Sequence, residues 1–354
     1  MTAALTPSDS FRPADTPISD ATSGVKTTQT VVCCVEYGPL EAQTVRLAES
    51  IRRFGGAFSS SPVIAVTPRR GPALETATLD AFRRLGVDYV RDRSVGRCHW
   101  HGFMNKTACL VHADRIADTD FITWMDSDVL VKRDPEELVN LDAVDFAACA
   151  PERGIGGTTG RADDRSEPYW TSLCDTLDMT VDELPWVRTF AEDQLRRFYL
   201  NSGVFTFRRE TGFAGRYLAT CEKLLTQAKR HPVHGVHFTD QVALGLAVLC
   251  EGLRWRLLEH AYNFGVGADL DAVFDTKGFA DARLVHYHDA LTEKRFHTFV
   301  QRLAADRPEV ADWLAGLGPI AGSAPRQRSA AAQTLKLTRA IRRRLHAARR
   351  PVAS

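Results

Sequence analysis

Between residues 30 and 150 the chain alternates short apolar runs with amphipathic segments, and this alternation restricts the fold more than any other feature. The run 30–35 (TVVCCV) has the unbroken, β-branched character of a strand buried on both faces, and Gly38-Pro39 closes it. Residues 41–54 then set Val45, Leu47, Ala48, Ile51 and Phe54 at helical spacing and stop at Gly55-Gly56. The same reading gives a strand at 62–66, a helix at 73–85 ended by Gly86, and a strand at 87–90. A helix at 104–116, a buried strand at 121–125 (FITWM) and a strand at 145–150 follow. Such alternation predicts an α/β, Rossmann-like fold, a mostly parallel sheet flanked by helices. Ligands of such sheets bind beyond the carboxyl ends of the strands, so the residues that follow each strand are the candidates for chemistry.

Composition narrows the function. The 354 residues hold 45 Lys and Arg against 44 Asp and Glu, a net charge of +1, which argues against a whole-molecule nucleic-acid binder. No apolar run reaches the roughly 18 residues needed to span a bilayer. The N-terminus has no charged segment followed by an apolar one, so export by that route is not expected. The eight cysteines show no CxxC pair, and several lie in apolar runs, which fits reduced thiols in the cytoplasm. Residues 1–29, rich in Thr, Ser, Ala, Pro and Asp, read as a disordered leader. Residues 30–318 form the folded body, with an acidic, Trp-bearing insertion at about 151–196, and 319–354 form a linker and a basic tail.

The most informative strand end is 121–132 (FITWMDSDVLVK), where an apolar strand runs into Asp126-Ser127-Asp128 and apolar residues resume at Val129. Two carboxylates one residue apart are hard oxygen ligands for Mn²⁺ or Mg²⁺. Such an ion can bridge phosphate oxygens and stabilise a leaving diphosphate. Asp-x-Asp alone also fits any acidic turn, but the flanking apolar residues argue against a solvated one.

Five further segments appear in order with it: VVCCVEY at 31–37, YLNSGVFTF at 199–207, TDQ at 239–241, HAYNFG at 260–265 and LVHY at 284–287. Together the six resemble the GT-A fold nucleotide-sugar glycosyltransferases, most closely family 8, the glycogenin and bacterial galactosyltransferase type. The sequence departs from that pattern in the long 151–196 region and after His286, where His288-Asp289 and Lys294 stand without a Pro-Trp.

The resemblance implies that Asp126, Asp128 and His286 hold the metal. It places Glu36 and Tyr37 at the nucleotide base and ribose, and Lys106 and Ser127 against the donor. Asn201, Asp240 and Gln241 would hold the transferred sugar. It also implies a hexosyltransferase that moves sugar from a nucleoside diphosphate, UDP being the usual choice, to a glycan, lipid or protein acceptor with retained configuration. An inverting enzyme would need a carboxylate base, for which Asp240 and Asp289 are the candidates. For Asp240 and Gln241 the plainer reading is a helix cap and its first-turn partner, for Lys106 a solvated helix face, and for His286 a core histidine. His288 is read as pointing to the opposite face of the strand that carries His286. His231, His234 and His237 are read as an acceptor-side loop rather than a zinc site, because Pro and Gly interrupt them.

Two alternatives from other classes remain. A sugar nucleotidylyltransferase would use a glycine-rich phosphate loop, but the glycine run 154–161 (GIGGTTGR) lies after Asp-x-Asp instead of after the first strand and reads as a flexible loop. A non-catalytic nucleotide-sugar-binding protein could share the fold. In the tail, Leu337, Ile341, Leu345 and Ala348 share a helical stripe among arginines, a basic amphipathic helix suited to an anionic membrane surface at 335–350.

Overall fold

The computed structural model describes residues 28–139, 141, 143–267, 278–321 and 330–353. The expected leader up to residue 27, and 322–329 of the expected linker, lie outside the described residues.

Seven strands form the main sheet: β1 (Gln29–Cys34), β2 (Val63–Val66), β3 (Val87–Val90), β4 (Phe121–Met125), β6 (Phe146–Cys149), β9 (Val204–Arg208) and β10 (Trp255–Leu258). Their order is β10-β6-β9-β4-β1-β2-β3. Only β9 runs against its neighbours β4 and β6; the remaining pairs in this sheet are parallel. The mostly parallel sheet expected from the sequence is therefore present. β5 (Val129–Val131), β11 (Phe264–Gly265) and β12 (Leu284–His286) make a smaller sheet in the order β11-β12-β5.

Both faces of the main sheet are covered, which explains why its strands read as continuous apolar runs. Along β1, Val32 and Cys34 enter one apolar cluster with Trp124 and helices α3 (Met104–Ile116), α5 (Phe213–Gln227) and α6 (Thr239–Cys250). Val31 and Cys33 enter another with helices α1 (Pro39–Phe54) and α2 (Thr76–Leu85). α1 begins two residues earlier than its periodicity suggests because Pro39 suits the first helical position and Glu41 accepts from Gly38 N at 3.0 Å. α2 begins three residues later than expected, since the carboxylate of buried Glu41 holds Glu75 N at 2.7 Å and Thr78 Oγ1 at 2.8 Å.

The 151–196 region contributes α4 (Glu167–Thr176) and the hairpin β7 (Trp186–Arg188)–β8 (Leu195–Arg197). Its glycine run is tethered, contrary to the flexible loop expected. Tyr199 OH donates to Ile155 O at 2.5 Å, Trp170 Nε1 to Gly156 O at 2.9 Å, and Gly154 N to Glu192 Oε2 at 2.9 Å. After β12 come α7 (Phe296–Asp306), α8 (Pro308–Leu317) and α9 (Ala330–Arg349).

Candidate active site

A cavity of about 750 Å³ opens at the carboxyl ends of β1, β2, β4 and β6. Its wall brings together Glu36, Lys106, Asp126, Ser127, Asp128, Asn201, Asp240, Gln241 and His286, all expected at the site from the sequence. Tyr37 is the exception: it is 38% exposed and does not line the cavity.

The Asp-x-Asp turn sits between β4 and β5 because these strands belong to different sheets. Asp126 N donates to Gly203 O at 2.8 Å, Tyr287 N to Asp128 O at 2.9 Å, and Ser127 Oγ to Cys34 O, so three separate strand ends hold the turn. Ser127 is thereby committed to the backbone of β1. Trp124 Nε1 donates to Asp126 Oδ1 at 2.8 Å and fixes that carboxylate.

Asp126, Asp128 and His286 converge with one ligand atom each inside a 4.8 Å span, the one such group of three among the described residues. His286 Nε2 lies 3.2 Å from Asp128 Oδ1 and 3.9 Å from Asp126 Oδ2. Its Nδ1 lies 3.2 Å from Asn263 Oδ1. The Asn263 amide oxygen can only accept, so it selects the tautomer with the proton on Nδ1 and leaves Nε2 free to ligate. Without a bound cation, burial opposes a charged imidazole, but the Asp128 carboxylate outweighs burial and raises His286 to about 9. Burial likewise opposes ionisation of Asp128, and His286 overcomes it, holding Asp128 down at about 2. Asp126 moves the other way, raised mainly by burial. Two carboxylates and an imidazole form an oxygen-rich donor set that fits Mn²⁺ or Mg²⁺.

Lys106 is buried at the cavity floor, not on a solvated helix face. Its Nζ donates to Ser202 O at 2.6 Å and Ser202 Oγ at 2.8 Å, and stands 3.3 Å from Asp126 Oδ1 and 3.4 Å from Asp240 Oδ2. It therefore ties the Asp-x-Asp turn to the start of α6. Asp240 lies in the first turn of α6 after Phe238 and makes no capping bond. Its Oδ2 accepts from Ser202 Oγ at 3.2 Å.

Two wall residues escaped the sequence reading. Arg69, just past β2, grips Glu36 through two bonds of 2.5 and 2.6 Å, so the expected base-binding carboxylate comes with its own guanidinium. The residues after β2 qualified as a strand end, and that was the available signal. Glu152, after β6, accepts from Asn201 Nδ2 at 2.9 Å and faces His260 Nε2 at 3.4 Å. Burial raises its pKa, but the neighbouring His260 outweighs that and leaves it lowered. The Asn201 amide is thus shared between Glu152 and Gly203 N, which donates to Asn201 Oδ1 at 2.8 Å.

His288 corrects the sequence reading. β12 ends at His286, and the His288 ring stacks on that of His286 at 4.1 Å and 10° instead of pointing to the opposite face. Residues two apart in a strand share a face in any case. His288 carries a φ of +42°, with Nδ1 3.0 Å from Val266 O. Among the triplet, His231 is spent on local bonds: its Nδ1 accepts from Val233 N and His234 N, both at 3.1 Å.

A doubly covered, mostly parallel sheet with Asp-x-Asp at a strand end, metal-type ligands and a cavity beside them is the arrangement expected of a GT-A glycosyltransferase. The sequence profile described as the Rhodobacterales glycosyltransferase domain matches residues 31–252, more than half of the chain, and the chain belongs to that family. No curated protein matches it. Similar solved structures include the bifunctional glycosyltransferase WbbM, at 14% identity and a TM-score of 0.48, covering 84% of this chain and 53% of that one. GlyE of Streptococcus pneumoniae TIGR4 is similar at 15% identity and a TM-score of 0.43, covering 74% and 54%. The galactosyltransferase LgtC, solved with donor and acceptor sugar analogs, is similar at 15% and 0.46, covering 81% and 95%. The chain spans about half the length of WbbM and of GlyE.

Proposed function

We propose that the chain moves a hexosyl group from a nucleoside diphosphate sugar, UDP-linked, to an acceptor hydroxyl in a cation-dependent reaction that retains configuration. The observation that carries this reading is the convergence of Asp126, Asp128 and His286 in one cavity with the Lys106–Asp240 pair and the Glu36–Arg69 pair. Asp126, Asp128 and His286 would hold Mn²⁺ or Mg²⁺, which when bound neutralises charge on the diphosphate.

The chain's own groups do the remaining work. Arg69, held by Glu36, faces the nucleotide end. Lys106 keeps Asp126 and Asp240 at a fixed separation, so the diphosphate site and the sugar site cannot drift apart. Asp240, Gln241 and Asn201 offer acceptors and donors for sugar hydroxyls at the same wall. In the reaction the anomeric carbon–phosphate oxygen bond breaks, the acceptor oxygen–carbon bond forms, and the acceptor proton passes to the departing diphosphate. Retention is supported by the pairing of the two candidate carboxylates: Asp240 stands 3.4 Å from Lys106 Nζ and Asp289 3.6 Å from Arg295 Nε, so each is already engaged by a cation.

The glycine run does not favour a nucleotidylyltransferase, because Gly156 packs against Tyr199 and Phe238. The cytoplasmic placement is part of this proposal and rests on eight unpaired cysteines. The test is release of nucleotide from UDP-, GDP- and TDP-sugars with and without Mn²⁺. Turnover of a UDP-sugar, abolished by Asp128→Ala, supports the reading; turnover of a GDP- or TDP-sugar alone contradicts the choice of nucleotide, and no turnover of any donor by folded protein, with or without an added sugar acceptor, contradicts the whole reading.

A further inference from the structure

Helix α9 sits on the body by a mixed side, Leu335, Arg339, Ala340, His346, Ala347 and Arg350 being half-buried, and turns its stripe of large apolar side chains outward, the reverse of what burial alone would favour. The His346 ring packs on Trp100 at 4.5 Å, and Arg339 Nη2 donates to Arg70 O. Beyond the helix, Arg230 N donates to Pro351 O and Ala353 N to Arg230 O, both at 3.1 Å, which pins its end. Leu337, Ile341 and Leu345 are left 62, 48 and 52% exposed. At 100° per residue they share one stripe, with Arg342 and Arg349 along one edge and Arg344 along the other, all exposed. Residues 330–354 hold seven basic and no acidic side chains.

The helix also lies beside the cavity. The segments it touches, around Arg70 and Trp100, continue into Arg69, Gly102 and Phe103 of the cavity wall, and Phe103 is itself 41% exposed. We propose that this outward face of α9 docks on an anionic lipid bilayer and sets the catalytic cavity open beside the lipid surface. The charge pattern selects this occupant. A second copy would bring seven more cations against the first seven, whereas acidic headgroups attract the arginines while the acyl boundary takes the leucines and isoleucine. Among the described residues no helix is long and apolar enough to cross a membrane, so the contact is one of lying on the surface. The proposal deepens the transferase reading by placing its cavity, while the docking itself can be tested separately.

The experiment floats the full chain with phosphatidylglycerol–phosphatidylcholine vesicles and with phosphatidylcholine vesicles alone, comparing the natural protein with L337S/I341S/L345S. UDP–Mn²⁺ binding is measured on both proteins in solution. The expected result is flotation with the anionic vesicles only, weakened by salt and reduced about tenfold or more in the triple variant, with nucleotide binding equal in both. Equal flotation of the two proteins, or no flotation of a natural protein that still binds nucleotide, would overturn the proposal. A dimer that the triple substitution dissociates, without vesicle binding, would assign the stripe to a second copy and also overturn it. Loss of nucleotide binding with flotation intact would instead count against the donor-site reading.

Discussion

Replacing Gly203 with alanine should disable the site while leaving the fold in place. A Cβ at this position would lie 2.5 Å from His286 Nδ1, 2.6 Å from its Cε1 and 3.2 Å from Asn201 Oδ1. Ordinary contact begins near 3.4 Å, so a gap of about 0.9 Å must open. The backbone has little room to yield, because Gly203 O accepts from Asp126 N and Gly203 N donates to Asn201 Oδ1, both at 2.8 Å. The imidazole is therefore the group that moves, and it leaves its Asn263 partner as it goes. Metal ligation tolerates displacements of about 0.2 Å, so His286 drops out of the ligand set. Weakening the support of a ligand usually lowers metal affinity about 10–100-fold, and losing the ligand itself should reach the upper end. The overpacking should lower stability by about 1–3 kcal/mol. Calorimetric titration of Mn²⁺ with UDP, beside thermal unfolding of the same samples, reads both quantities. A folded Gly203→Ala protein that binds UDP–Mn²⁺ within about twofold of the natural one would refute the reasoning.

Other substitutions probe the remaining contacts. Lys106→Met leaves Asp126 and Asp240 without their shared cation, and should lower stability by about 3 kcal/mol, read by denaturant unfolding, and abolish turnover. Arg69→Ala removes the guanidinium that the proposed function sets at the nucleotide end and leaves Glu36 unpaired there, so KM for the donor should rise about tenfold or more with little change in kcat. Asp145 lies away from the cavity, and hydrogen bonds from Arg254, helped by Arg208, hold it at about 2 against the opposing effect of burial. Its folded pKa is below its unfolded value, so its contribution is complete above pH about 4 and is lost as pH falls toward about 2. Asp145→Asn should flatten acid unfolding in that window by no more than about 1 kcal/mol once solvent screening is counted.

Much of this protein can be read from its sequence because burial on both faces of a parallel sheet leaves unbroken apolar runs. The ends of β1, β2, β4 and β6 point at the cavity, which is why Asp126 and Asp128 could be named before their contacts were known, whereas Lys106, on α3, came from the family resemblance. His286 came from ordered motifs, since nothing local marks a histidine as a ligand, and its partner Asn263 emerged only with the fold. Arg69 and Glu152 stand in loops, where no periodicity signals direction, and their roles depend on partners 33 and 49 residues away. Tyr37 shows the converse: a residue adjacent to a wall position in sequence turned outward once β1 had ended. The stripe of α9 was visible in the sequence, but the side by which it sits on the body follows from Trp100, Arg70 and Arg230, which only folding brings to it.

The central claim is that Asp126, Asp128 and His286 make a cation-dependent nucleotide site. The most direct measurement is calorimetric titration of UDP, GDP and TDP into the natural protein and Asp128→Ala, with Mn²⁺ and then with EDTA. One diphosphate should bind tightly with Mn²⁺ and lose that binding both on chelation and in the variant. Folded protein that binds none of the three, or binds one equally well in EDTA and in Asp128→Ala, would contradict it.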